Sequence, residues 1–491
     1  MDNHSAAGRS GRWPICLALI GLIGGCTATR EWDVRVGDET SQEMEAAFGL
    51  VGDHAARTYV EQLGQRLVRQ LPDQKFAYKF EVLDEPTPNA FALPGGHVYV
   101  TRGLLALVNS EDELANVIAH EIGHVEERHS AQRHGAATVP MLATLPGSLL
   151  GAVVDKDLGN LVSFPFAHAG MAFLTAYSRD QEAQADRFGQ TLAARAGFDP
   201  AGLTAFLRNG EALRRLEPED RQVPSHLQTH PGTAERVAST AAFAGSAGHR
   251  SRQDNNASRR ALLDQIDGIM VGRNPARGIY KDGAFHHLGL GVTIQFPPQW
   301  VAVQAAGSVG AMSPTQEAII LCRAPRVGKD PSQAATPTLQ VLQRERAIQI
   351  TRALPGTING LPSFVASGHG GRSDAPVKVE FAWVAHDGLI YPMAGITSSQ
   401  PGHDLSAEIR ESQSSFMTIS DEDRRNFTLE RLRTVPAAEG ESLAELSTRV
   451  SNRWDAQTLA AMNGVAAGAR LEAGQLIKVS VEEPYRAASG Q

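Results

Sequence analysis

Cysteine is scarce in this chain, three in 491 residues. Three thiols cannot build a disulfide framework, so the fold must rest on hydrophobic cores. Positive charge is also short: 46 Lys and Arg stand against 54 Asp and Glu, a formal net charge of −8. That balance excludes a general basic surface for nucleic acid or for an anionic membrane face. Long apolar runs free of helix breakers are lacking as well. The uncharged stretch 135–154 is interrupted by Pro140, Pro146, Gly147 and Gly151 and runs into Asp155-Lys156-Asp157. An apolar flap over 135–175, packed on the protein, therefore fits better than a bilayer-spanning helix, and a flap between two ligand-bearing helices suits a lid.

What is present is ordinary globular material. Apolar residues make up 42% and charged residues 20%, which excludes wholesale disorder, and the length suggests about three domains. At the amino terminus, Arg9 and Arg12 precede the uncharged stretch Trp13 to Gly25, which ends in Ile23-Gly24-Gly25-Cys26. A basic start, a short apolar centre and small residues at its end predict a secretory signal over 1–25, too short to cross a ~30 Å hydrocarbon core. Small residues running into Cys26 resemble the lipobox of bacterial lipoproteins. That resemblance implies a lipid on Cys26, and Thr27 in place of Asp favours the outer membrane. The alternative is an ordinary signal cut nearby. Cys16 leaves with the signal, so Cys322 is the sole free thiol and an intramolecular disulfide is excluded even in an oxidising compartment.

Further along, Met44, Phe48, Val51, Val60, Leu63 and Leu67 predict helix over 41–70. Phe76, Tyr78, Phe80 and Val82 alternate with polar or small residues and predict a half-buried strand. The segment 91–100 reads as two short strands around Gly95-Gly96. Helical patterns dominate from Glu111 to about Ala242, and the polar stretch 245–256 is a candidate linker. Strands follow: 291–296, 377–385 and 389–396, the last two joined by Asp387-Gly388, a good hairpin signal. No catalytic constellation is legible there, and His286-His287 reads as an exposed turn. Beyond the charged boundary at 421–425 lies a small module with a strand-like segment at each end.

The chemistry concentrates at His120-Glu121-Ile122-Gly123-His124. Two histidines at i and i+4 share a face only on a helix, about 40° apart. Ser110 and Glu113 supply a capping box, and Leu114, Val117, Ile118, Ile122 and Val125 a buried stripe. Glu121 then stands beside a bound metal, where it can take a proton from a zinc-activated water. A metzincin would carry a third histidine at position 130 and glycine at 127, and Ser130 and Glu127 exclude that subclass. The better third ligand is Glu182, in a helix that opens with the Ser178–Gln181 capping box. Asp186 shares its face and can fix the tautomer of a ligand histidine. His129 and His134 are poorer ligands: on a continuous helix His129 lies about 180° from His120 and faces solvent.

Four ordered motifs give these residues a context: Asn89-Ala90-Phe91-Ala92-Leu93-Pro94-Gly95-Gly96, Arg102-Gly103-Leu104-Leu105, the His120 motif, and Glu182 to Asp186. Together they resemble peptidase family forty-eight, and most closely its soluble periplasmic branch, which acts in outer-membrane protein quality control. The resemblance covers about residues 40–245. It implies a gluzincin fold with one zinc ion per chain on His120, His124 and Glu182, and with Asn89, Ala90, Phe91 and Ala92 in an edge strand that pairs with extended substrate. His230-Pro231 followed by Arg236 resembles the family's later His-Pro segment. His230 there either fills the open metal position until substrate displaces it or is a structural loop residue. His230 and Arg236 are also the candidates for steadying an oxyanion. The stretch from Thr434 to Val479 resembles a LysM domain, a small βααβ peptidoglycan binder.

The expected fold class is therefore α+β and multidomain. Residues 1–25 are a lipoprotein signal peptide and 26–245 a mostly helical gluzincin-type metallopeptidase domain with a small edge-strand sheet. An α/β domain of unknown role follows over 260–422, then a LysM-like βααβ module over 430–482. The expected function is a zinc metalloendopeptidase of the periplasm, lipid-anchored to the outer membrane, cutting misfolded or stalled envelope proteins. A non-catalytic lipoprotein chaperone or adaptor that binds clients and peptidoglycan is the alternative. The intact Glu121 speaks against it.

Overall fold

The computed structural model describes residues 29–134, 176–216, 226–246, 255–305, 308–345, 348–372 and 375–486. The expected signal and lipid site at Cys26, the flap over 135–175 and most of the expected linker lie outside the described residues. Among the described residues no helix is long and apolar enough to cross a membrane.

The first region is mostly helical: α1 (Arg30–Phe48), α2 (His54–Val68), α3 (Arg102–Leu107), α4 (Glu111–Glu126), α5 (His129–His134), α6 (Arg179–Arg195), α7 (Ala201–Arg214), α8 (His226–Thr229), α9 (Ala234–Ser246) and α10 (Asn255–Ile266). Between α2 and α3 run β1 (Lys79–Leu83), β2 (Ala90–Leu93) and β3 (His97–Thr101). The helix expected over 41–70 is two helices. Gly49 closes α1 at φ 69°, a conformation costly for any residue with a Cβ, and Asp53 caps α2 through Ala55 and Ala56. The two strands around Gly95-Gly96 form as expected and pair antiparallel. β1 joins β3 in parallel, giving the order β1-β3-β2 with β2 at an edge.

Helix α4 lies at the centre of this region. Ser110 Oγ accepts from Glu113 N at 3.1 Å, but the reciprocal bond of the expected capping box is absent: Glu113 turns inward and accepts from Asn109 N at 2.9 Å. Leu114, Val117, Ile118 and Ile122 are fully buried, and so is nearly everything from Asp112 to Glu126. A helix enclosed on all sides needs close neighbours, and α6 approaches it at Gly189. A Cβ at Gly189 would come within 2.8 Å of the His120 backbone nitrogen. α10 lies across the expected boundary of the middle domain: Leu262, Leu263 and Ile266 pack in the same core as α4.

The middle region is built on an eight-stranded sheet whose strand pairs are antiparallel, not on the parallel βαβ units that α/β denotes. Its central hairpin, Ala375–His386 with Leu389–Ser398, turns at Asp387 and Gly388, both at positive φ, as the sequence predicted. Val377, Val379, Phe381 and Trp383 pack on one face against the helix Pro331–Glu345, while Ala382 and Val384 face Ile409 of the helix Ser406–Ser414. His286 and His287 lie half-buried on a strand instead of in an exposed turn.

At the carboxyl end, the strands Thr428–Pro436 and Leu476–Pro484 pair antiparallel around the helices Leu443–Arg449 and Ala456–Asn463. This unit is seated on the first region. Lys478 Nζ donates to the carbonyls of Ala106, Leu107 and Val108 at 2.6, 3.0 and 2.8 Å, closing the end of α3. Arg259 of α10 links Asn109 and Asn463, its nitrogens 2.9 and 3.0 Å from their side-chain oxygens.

Candidate active site

Both histidines of the α4 motif point into a closed polar pocket. His120, Glu121, His124, Glu182 and His230 are each at most 2% exposed. His120 Nε2 lies 3.0 Å from His124 Nε2 and 3.2 Å from His230 Nδ1, and His230 Nδ1 lies 2.9 Å from Glu182 Oε1. Glu182 stands 3.6 Å from His120 Nε2 and 3.7 Å from His124 Nε2. Four donors on a tetrahedral zinc at its usual bond lengths stand about 3.3 Å apart. The set His120, His124, Glu182 and His230 therefore fits such an ion in both chemistry and spacing.

The groups behind these donors set their tautomers. His120 Nδ1 faces Asp186 Oδ1 at 3.0 Å, which leaves Nε2 as the free lone pair. Burial opposes charge on both acids, yet His230 and His120 beside Glu182, and His120 and Arg236 beside Asp186, hold both carboxyls below their ordinary range. His124 Nδ1 meets His129 Nδ1 at 2.8 Å, and His129 Nε2 meets Gln184 Oε1 at 3.2 Å. With the amide oxygen accepting from His129 Nε2–H, His129 Nδ1 accepts from His124 Nδ1–H, and the lone pair of His124 is on Nε2, turned toward His120 and Glu182. Tyr177 stacks on the His124 ring at 3.8 Å between centroids.

The expectation that His129 faces solvent is thus wrong. Its rotation was counted along an unbroken helix, but α4 ends at Glu126 and Arg128 takes a φ of 55°. The chain restarts as α5 with His129 turned inward and fully buried. Arg236 also departs from its expected place as an oxyanion donor. Its Nε and Nη2 clasp Asp186 at 2.8 and 2.7 Å, and its Nη1 lies 2.7 Å from Glu182 and donates to the His230 and Pro231 carbonyls. Every side-chain nitrogen of Arg236 is thus engaged by Asp186, Glu182 or the His230-Pro231 backbone.

Glu121 lies on the other side of the pocket. Burial would raise its carboxyl, but His230, His226 and His120 outweigh burial and keep it low. His226 is a neighbour the sequence did not single out, although His226 and His230 repeat the i, i+4 spacing of the α4 motif. Burial, reinforced by His230, pushes it down to about 4. Alongside runs edge strand β2, beside α4. The side chains of Asn89, Ala90, Phe91 and Ala92 are buried, so only backbone groups at that edge are left to pair with another strand.

Residues 54–243 match the model of Peptidase family M48, and this part of the chain is an M48 peptidase domain. Among curated proteins, the chain is 34% identical over 233 residues to the putative beta-barrel assembly-enhancing protease of Vibrio cholerae serotype O1, covering 46% of each. It is 28% identical over 276 residues to the beta-barrel assembly-enhancing protease of Escherichia coli K12, covering 54% of this chain and 52% of that one. Similarity extends to the mitochondrial metalloendopeptidase OMA1 of Schizosaccharomyces pombe, 28% over 210 residues, 42% of this chain and 59% of that one. The chain spans about half the length of the curated relatives it matches.

Proposed function

We propose that this protein is a zinc-dependent endopeptidase of the bacterial cell envelope that cuts misfolded or stalled outer-membrane proteins. The observation that carries the reading is the convergence of His120, His124 and Glu182 with Glu121 beside them, inside an M48 domain. The names of the bacterial relatives, beta-barrel assembly-enhancing proteases, support the substrate class.

His120, His124 and Glu182 hold the ion, and Asp186, Arg236 and the His129–Gln184 pair keep them oriented. When bound, zinc supplies Lewis-acid polarisation of the scissile carbonyl and of the attacking water. Glu121 takes the proton of that water and returns it to the leaving amine. His230 Nδ1, 2.9 Å from Glu182 Oε1, would take the remaining position on such an ion, and an entering substrate would have to move it aside. The edge of β2, unpaired among the described strands, aligns an extended substrate through backbone hydrogen bonds, a mode indifferent to side-chain sequence and so suited to unfolded clients. A lipid on Cys26 would hold the enzyme on the periplasmic side of the outer membrane, and the carboxyl-terminal unit, with its βααβ order, is read as a LysM-like binder of peptidoglycan.

Cleavage of casein and of an unfolded outer-membrane protein by wild type and Glu121→Gln tests the assignment. Wild type should cut both while the variant does not. Equal cleavage by the two proteins would sink the peptidase reading and leave the client-binding adaptor.

A further inference from the structure

Next to the first donor set lies another that the peptidase reading leaves partly unused. His226 Nε2 stands 3.4 Å from Glu121 Oε1, and His230 Nε2 stands 3.6 Å from the same oxygen. The rings of His226 and His230 are one helical turn apart and stack at 4.4 Å and 14°. His226 is 3% exposed and Glu121 fully buried. Neither oxygen of Glu121 and neither nitrogen of His226 has a hydrogen-bond partner among the described residues. Buried polar atoms without hydrogen bonds are costly, so four in one place, two of them facing each other at 3.4 Å, point to something that completes them.

We propose that Glu121, His226 and His230 form a second, inhibitory binding site for a zinc-class divalent cation. Two imidazoles and a carboxylate are the donor types such ions select, and their ligand atoms all lie within 4.8 Å of one another. The two sites share one ring. His230 presents Nδ1 to the first donor set and Nε2 to the second. An ion at the second site holds that ring by Nε2, and the ring proton passes to solvent when both nitrogens are engaged. The second ion thereby blocks the enzyme twice, by keeping His230 over the fourth position of the first ion and by taking the carboxylate that must accept the proton of water.

The site follows from the donor geometry, and the inhibition rests on the peptidase reading, so the test measures them separately. Full-length protein is dialysed against stepwise free zinc and its bound metal counted by mass spectrometry, with casein cleavage followed in parallel. Wild type should reach two ions per chain and lose at least tenfold in cleavage rate as the second binds. His226→Phe and His226→Gln should each stop at one ion and need at least tenfold more zinc for the same inhibition. Saturation of wild type at one ion overturns the proposal, as do two ions in both variants. Loss of the first ion from both variants also overturns it, because His226 would then belong to the first centre. A count of zero in wild type removes the metallopeptidase reading as well, whereas two ions without casein cleavage keeps the site and removes only the inhibition.

Discussion

The two halves of α4 bury similar chemistry to opposite ends. In its first two turns each carboxylate accepts a hydrogen bond from the protein. Asp112 Oδ1 accepts from Asp199 N at 2.9 Å, and Asn116 donates to the carbonyls of Asp112 and Asp199 at 2.8 and 2.7 Å. Glu113 accepts from Asn109 N. Burial pushes its carboxyl up, and the Asn109 bond and the nearby Lys478 and Arg259 work against that rise. One turn further on, the ring nitrogens of His120, His124 and His230 converge on each other, and both oxygens of Glu121 lack hydrogen-bond partners among the described residues. A closed network fastens two parts of a fold together. An open one, at equal burial, is a place where something arrives.

The sharpest break in that contrast is His124→Ala. It should strip the ion from the first centre and drop casein cleavage to background, read by metal analysis, and full retention of metal would contradict the donor set. Glu121→Gln should lower cleavage by about 10²–10⁴-fold with the metal count unchanged. Its thermal midpoint should hold or fall slightly, because the histidines around Glu121 favour its charged form and the amide gives that attraction up. At the closed end the order reverses. Lys478→Met leaves three carbonyls without their donor and should cost about 3 kcal/mol of stability, visible as a lower urea midpoint, with the metal count intact. An unchanged midpoint would mean that the Lys478 contacts do not seat the carboxyl-terminal unit. The smallest effect belongs to His129→Phe. Losing the partner that sets the His124 tautomer should weaken zinc binding by about 10–100-fold in chelator competition, without abolishing it.

Legibility in the sequence tracked how local the cause was. The α4 motif, the Ser178–Gln181 capping box and the Asp387-Gly388 hairpin all work through residues a few positions apart, and all appear where expected. Errors began where a local pattern was extended too far. One helix was expected across Gly49 to Asp53, and one rotation was carried past Arg128, where φ turns positive. Arg236 showed in the sequence as a cation near a histidine, but its direction depends on Asp186 fifty residues away. His226 carried a signal, the spacing of four from His230, which no motif around Glu121 made meaningful.

The sequence by itself determined which residue types could do chemistry and on which helices they would sit, because helical spacing and capping are set within a turn or two of chain. It also determined the absence of a disulfide scaffold. Only the tertiary structure decided which donors meet. α6 approaches α4 closely because position 189 has no side chain, and α8 with the residue that follows it brings two stacked histidines to Glu121. It likewise decided that the carboxyl-terminal unit is seated on the peptidase region, through a lysine buried against carbonyls some 370 residues earlier in the chain. Contacts over such distances depend on the packing of whole elements, and no spacing rule along the chain encodes them.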